Sequence, residues 1–263
     1  MSFDFIEQGQ GPALLFLPGS YSSHAAWRGV QKALQGSYRL ISTSLPGYGG
    51  TAEFRDPGTR DMAAMADFVA RLVERAGEPV HLVGHSYGGL AVLASVLAGK
   101  VRPRSLVTFE ANPIFSRRGN AGFPWEGAVD DMFGSFKAAV AADHPDAAAI
   151  IIDFWGRPGA FAAMPEGFQD LCRASARTNL IDWQSAIGFT PDVTDYSAIT
   201  VPATIVRGEH ANASIVDVSN EIVNAAERAA LRVVPGSGHF LISTHPSECA
   251  AIIDAHMRAC LTT

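Results

Sequence analysis

The sequence predicts an α/β protein: a doubly wound, mostly parallel sheet with a helical cap inserted into it. Three observations carry that expectation. Short apolar runs alternate with helical patterns over residues 1–111 and again over 198–263, which is the order that parallel strand–helix–strand units produce. Residues 112–197 between them show helical patterns and no clear strand. Finally, Gly84-His85-Ser86-Tyr87-Gly88 joins an apolar run to a small-residue run, so a serine stands at the apex of a strand, tight turn and helix.

The elements follow in order. Ala13-Leu14-Leu15-Phe16-Leu17 is wholly apolar, as a strand buried on both faces must be. The loop Pro18-Gly19-Ser20-Tyr21-Ser22-Ser23 precedes a helix expected over Ala25–Leu34. Tyr38–Thr43 is the next strand, closed by Leu45-Pro46-Gly47-Tyr48-Gly49-Gly50. Over Thr59–Ala76, Met62, Met65, Phe68, Val69, Leu72 and Val73 recur at helical spacing. Pro79–Val83 leads into the serine turn, and Gly89–Ala94 leads out of it as a helix. Arg104–Phe109 reads as a strand ending at Glu110. After the cap, a strand over Thr200–Val206, a helix over Ser214–Arg228, a strand over Ala230–Val234 and a helix over Pro246–Cys260 complete the pattern.

Composition narrows the function classes. The chain has 263 residues, 48% of them hydrophobic, enough for one sizeable core with a small inserted unit. Its net charge of −6 and lack of a basic block argue against nucleic acid as a partner. No basic N-terminal stretch followed by a long apolar run is present, so no signal peptide is expected. No uncharged apolar run reaches the roughly 18 residues of a membrane span, and the run over Leu90–Ala98 reads as a buried helix. The three cysteines, Cys172, Cys249 and Cys260, are odd in number and lack C-x-x-C spacing, which fits free thiols in a reducing cytoplasm. Neither a metal-ligand cluster nor a phosphate loop is read, so no metal and no cofactor is expected, and the partner is a small-molecule substrate. The sequence says nothing of oligomeric state.

The chemistry centres on Ser86. A serine hydroxyl is a weak nucleophile until it is lifted from the backbone and set beside a base, and a glycine-flanked strand-to-helix turn lifts it. Of the eight histidines, His239 fits the base best, in the Gly-rich loop Pro235-Gly236-Ser237-Gly238 that follows the last strand. His85 adjoins the nucleophile but should point away from the apex, and His81 lies within the strand. His144, His245 and His256 read as exposed or helix-boundary residues. A histidine base also needs a carboxylate to fix its tautomer and stabilise the imidazolium. Glu110, at the end of one strand, and Glu209, just after another, both preserve the order serine, acid, histidine; Asp217 and Asp192 are further alternatives. The structural alternative for Glu110 is a salt bridge or a cap hinge, and for Glu209 a pair with Arg207.

Leu17-Pro18-Gly19-Ser20, Leu45-Pro46-Gly47-Tyr48-Gly49, Gly84-His85-Ser86-Tyr87-Gly88-Gly89 and Gly236-Ser237-Gly238-His239-Phe240 together resemble the α/β-hydrolase fold family, along essentially the whole chain. The position of the inserted helices is similar to its capped branch. That resemblance implies an acid about three residues after Gly208, where this chain has Ala211, so the sequence departs from the commonest pattern. Some members place the acid where Glu110 stands, one strand over and about 4.8 Å away, which favours Glu110 over Glu209. The resemblance also implies an oxyanion hole from the backbone N–H groups of Tyr87 and Ser20, with Tyr21 or Ser22 as substitutes if the loop is shifted. Pro18 stands where many relatives have histidine; a backbone donor tolerates that change.

His24, Trp125, Trp155, Trp183 and His210 are candidates for the substrate pocket. The cap aromatics, which also include Phe115, Phe123, Phe133, Phe136 and Phe154, mostly fit the cap's own core, with a few left to line an apolar pocket above Ser86. Arg117, Arg118, Arg173 and Arg177 fit solvated surface better than a substrate carboxylate. The expectation is a serine hydrolase acting on a small, largely apolar ester, lactone or thioester through an acyl-serine. The same Ser–His pair could serve C–C hydrolysis, perhydrolysis or cyanohydrin cleavage, and the fold also supports ligand receptors.

Overall fold

A computed structural model describes residues 2–117 and 125–261. Its sheet has seven strands in the order β1-β3-β2-β4-β5-β6-β7: β1 (Ile6–Gln8), β2 (Ala13–Leu17), β3 (Arg39–Ser42), β4 (His81–His85), β5 (Ser105–Phe109), β6 (Ala203–Gly208) and β7 (Ala229–Val234). All neighbours are parallel except β1, which runs antiparallel to β3. The strand β1 was not legible in the sequence. It has three residues, all exposed, and so lacks the apolar run that betrays a buried strand.

The apolar run of β2 is explained by its two faces. Leu15 and Leu17 pack into one core, under α2 (Ala63–Ala76), α3 (Tyr87–Leu97) and α8 (Ala213–Ala225). Leu14 and Phe16 pack into the other, with Trp27 and Val30 and with α10 (Pro246–Leu261) through Ile253 and Met257. Burying each such side chain contributes roughly 1.5–3 kcal/mol. The helix expected from Ala25 is a 3-10 turn over His24–Trp27 running into α1 (Arg28–Ala33). The helix expected from Thr59 starts at Ala63, whose N–H is met by Asp61.

Among the described residues, four α-helices lie between β5 and β6: α4 (Glu126–Ala141), α5 (Ala147–Trp155), α6 (Glu166–Ala174) and α7 (Ala176–Ile187). A short 3-10 turn over Val193–Ala198 returns the chain to the sheet. A one-turn helix, α9 (Leu241–Thr244), precedes α10.

His256 is a correction: it is buried, not exposed. With His81 it sandwiches the Ser105 hydroxyl at 2.7 Å on each side, and its other ring nitrogen meets Thr204 at 2.8 Å. Burial, helped by the Arg104 charge at His81 and by the two rings' mutual proximity at His256, pulls both imidazoles down from 6.5 to about 4. The unfolded chain therefore binds protons between those values that the folded chain refuses. Stability is fully present above pH 6.5 and is lost as pH falls toward 4. Tm, followed by circular dichroism, is expected to fall by several degrees over that interval, and the slope should be shallower in His256→Gln.

Candidate active site

Ser86 follows β4 and opens α3 with φ 50° and ψ −124°, a conformation that costs a non-glycine residue about 1–3 kcal/mol. The surroundings enforce it. The Ser86 N–H donates to the Phe109 carbonyl at 2.9 Å, tying the turn to the end of β5. A Cβ at Gly88 would lie 2.2 Å from the Pro18 carbonyl oxygen, so only glycine lets the loop after β2 reach this helix. A Cβ at Gly19 would lie 3.1 Å from the Ser86 Cβ, which places the Gly19 backbone against the serine.

The Ser86 hydroxyl is 3.0 Å from Nε2 of His239, whose Nδ1 is 3.1 Å from Oε2 of Glu110. The other carboxylate oxygen, Oε1, accepts the Gly208 N–H at 2.6 Å. All three side chains are buried, Glu110 completely. Glu110 has φ 50°, another turn out of the regular strand conformation, at the residue following β5. Its own N–H donates to Val206 at 2.8 Å, so β6 fixes this backbone while Gly208 fixes the carboxylate.

Two loops hold His239 in place. His210 N–H donates to the Ser237 carbonyl at 2.8 Å, and the Glu209 carboxylate accepts the Gly236 N–H at 2.7 Å. His85 braces the loop from below, donating from Nε2 to the His239 carbonyl at 2.9 Å. Burial, aided by His239 nearby, holds its imidazole down to about 3, so it is neutral and fit for that task. From the helices between β5 and β6, Trp155 stacks on the His239 ring at 5.1 Å, Trp183 stacks on Trp155 at 6.2 Å, and Phe133 on Trp183 at 5.5 Å.

This arrangement belongs with a known architecture. The model of the alpha/beta hydrolase family matches residues 14–252. The chain belongs to the alpha/beta hydrolase family. Curated relatives include a pimeloyl-[acyl-carrier protein] methyl ester esterase of Aeromonas hydrophila, 32% identical over 148 residues, covering 54% of this chain and 53% of that protein. Its counterpart in Vibrio campbellii is 32% identical over 135 residues, covering 51% and 49%. The chain thus spans about half the length of the curated relatives it matches. Solved structures share the fold: a thermophilic esterase from Thermogutta terrifontis (TM-score 0.75, 22% identity, 98% of this chain and 93% of that one) and a bromoperoxidase from Bacillus anthracis (TM-score 0.79, 20% identity, 97% and 94%).

Against this alpha/beta hydrolase frame the remaining candidates separate. Trp155 and Trp183 adjoin His239, directly and through one ring respectively. Trp125 instead donates from Nε1 to Asp217 at 2.8 Å, joining the start of α4 to α8. His24 faces Asp4 at 3.3 Å, and the exposed His210 braces the His239 loop through its backbone. Asp192 caps the 3-10 turn before β6. Arg173 pairs with Asp146 and Asp170, and Arg177 with Asp143, so all three pairs are among residues between β5 and β6. Arg207 donates to the Gly208 carbonyl at 3.0 Å. Phe123 and Arg118 lie outside the described residues, and the side chain of Arg117 is not described.

Sequence reading missed a buried polar cluster beside the serine. Arg55 and Asp182 form an ion pair with both side chains nearly fully buried. Asp182 Oδ2 also accepts from the hydroxyls of Ser20 and Tyr48, each at 2.6 Å. Arg55 donates further to Glu53 at 2.6 and 2.8 Å, to the Pro46 carbonyl at 3.0 Å and to the Tyr87 hydroxyl at 3.3 Å. The Tyr87 hydroxyl in turn meets Ser185 of α7 at 2.5 Å. Burial opposes the charge on Arg55, but Asp182 and Glu53 outweigh it and hold the guanidinium firmly protonated. No local spacing in the sequence announces a set drawn from residues 20, 48, 55, 87 and 182.

Proposed function

We propose that this chain is a cofactor-independent serine hydrolase that cleaves a small, largely apolar ester, lactone or thioester. The observation that carries the reading is the unbroken hydrogen-bonded line Ser86–His239–Glu110, at 3.0 and 3.1 Å. These distances are within the range for proton transfer between a nucleophile and its base.

In this reading the Ser86 oxygen attacks the substrate carbonyl as its proton passes to Nε2 of His239. The new imidazolium keeps its Nδ1–H on Glu110, whose negative charge stabilises it. The carbonyl oxygen becomes an alkoxide held by backbone N–H groups of Tyr87 and Ser20. Tyr87 is the first residue of α3, so its N–H has no partner within the helix and lies at the positive end of the helix dipole. The tetrahedral intermediate collapses, the proton on Nε2 moves to the departing alcohol or thiol, and an acyl-serine remains. Water then gives its proton to His239, attacks the acyl carbon and releases the acid, restoring the serine.

Residues 112–197 act as the cap, and Trp155 and Trp183 supply an apolar wall beside the reacting carbon. An apolar acyl group suits that wall better than a charged one. The esterase names of the curated relatives favour ester over C–C chemistry. Purified protein offered p-nitrophenyl esters of graded acyl length is expected to hydrolyse them with saturation. Absence of turnover on every ester, together with cleavage of a vinylogous diketone, would overturn the ester assignment.

A further inference from the structure

The Asp182 carboxylate sits on α7, in the cap, yet its closest partners belong to the body of the enzyme. Ser20, whose backbone N–H is assigned to the oxyanion hole, donates its hydroxyl to Asp182 at 2.6 Å. Tyr87, the other assigned donor, is reached from the same cluster twice, through Arg55 at 3.3 Å and Ser185 at 2.5 Å. Asp182, Arg55, Tyr48, Ser185 and Tyr87 are all buried. A buried carboxylate with hydroxyl and guanidinium donors around it has a narrow set of acceptable geometries, because losing the guanidinium leaves a buried charge unpaired and losing a hydroxyl leaves a buried acceptor unsatisfied. Such a group is a rigid reference point.

The loop that Ser20 occupies needs one. Tyr21 follows with φ 58°, an unfavourable conformation for a bulky residue. On the other side, Gly19 lies against the Ser86 Cβ. The Ser22 hydroxyl holds the Gly19 carbonyl at 2.6 Å from within the loop. The described bond that ties the Ser20 side chain to another element is the one to Asp182.

We propose that Asp182 is a positioning residue that sets the Ser20 N–H for the oxyanion, so that seating of cap helix α7 and completion of the oxyanion hole are one event. This deepens the serine-hydrolase reading and rests on it. When α7 withdraws, Arg55 loses its buried partner and Ser20 loses its anchor together. A substrate that lets the cap seat therefore assembles the hole around its own carbonyl. Donor placement matters steeply, since a whole oxyanion donor is worth 10²–10³ in rate; a loosened one is expected to forfeit about tenfold.

The test measures the second-order rate of Ser86 phosphonylation by a fluorophosphonate in the full chain, alongside Tm. The adduct places its phosphoryl oxygen in the oxyanion hole, so the rate reads that hole without requiring turnover. Ser20→Ala keeps the backbone donor and breaks only the anchor. It is expected to label about tenfold more slowly with Tm within a few degrees of the parent. Asp182→Asn should slow labelling at least as much; if it also unfolds, Ser20→Ala carries the test alone. Tyr38→Phe is the matched control. It removes a hydroxyl that donates to a different buried carboxylate, Asp254, at 2.8 Å, and it should lower Tm while labelling at the parental rate. Ser20→Ala labelling at the parental rate would overturn the proposal, as would Tyr38→Phe slowing it equally. Failure of the ester reading registers separately, as no turnover on the acyl panel with this labelling pattern intact.

Discussion

Ser86→Ala is expected to lower kcat for ester hydrolysis by a factor on the order of 10⁵–10⁶, with Tm nearly unchanged. In the proposed mechanism the hydroxyl oxygen becomes bonded to the acyl group, and among the described residues the hydroxyl hydrogen-bonded to the His239 ring is that of Ser86. The methyl of alanine occupies the space of the Ser86 Cβ and meets no new atom. The backbone strain at φ 50° is borne equally by alanine, and its anchor, the bond from the residue 86 N–H to Phe109, is independent of the side chain. Steady-state hydrolysis of a p-nitrophenyl ester and a thermal melt on the same sample separate the two quantities. A variant retaining more than about one hundredth of the parental kcat would remove Ser86 from the reaction.

Glu110→Gln carries the second large effect, a fall in kcat of roughly 10³–10⁴. The carboxylate accepts two bonds, one from Gly208 N–H at 2.6 Å and one from His239 Nδ1 at 3.1 Å. A glutamine amide can accept at only one of these positions. If its oxygen faces Gly208, its NH2 faces Nδ1 and forces the proton onto Nε2, the wrong tautomer for a base toward Ser86. If its oxygen faces His239, the NH2 confronts the Gly208 N–H and a buried donor is orphaned. Either way the negative charge that stabilises the imidazolium is gone. Glu209→Gln provides the contrast: its carboxylate is bonded to the exposed Gly236 N–H rather than to the imidazole, so kcat should stay within about tenfold of the parent. Comparable losses from the two variants would contradict the assignment of Glu110.

What the sequence disclosed follows from how local each signal is. The serine turn, the last-strand histidine and the alternation of strands with helices are written in runs of five to fifteen residues, where periodicity and glycine placement speak directly. Glu110 was accessible by a less direct route. The usual acid position holds Ala211, and the neighbouring strand end offered a carboxylate of sufficient reach. The structure places that carboxylate against His239, through a turn at φ 50° that no propensity would have suggested for glutamate. The Arg55–Asp182 cluster was invisible for the opposite reason. Its members are separated by as many as 162 residues, and each resembles an ordinary solvated side chain in its own stretch. His256 was misread similarly, because the Ser105 and Thr204 hydroxyls that make its burial tolerable come from distant strands.

Activation of the Ser86 oxygen by His239 is the step from which the proposed chemistry follows. It is tested most directly by treating the intact protein with a fluorophosphonate and locating the adduct by peptide mass spectrometry. One adduct per chain is expected, on Ser86, formed far more slowly when His239 is alanine. An adduct on another residue, or labelling of Ser86 at the same rate without His239, would contradict it.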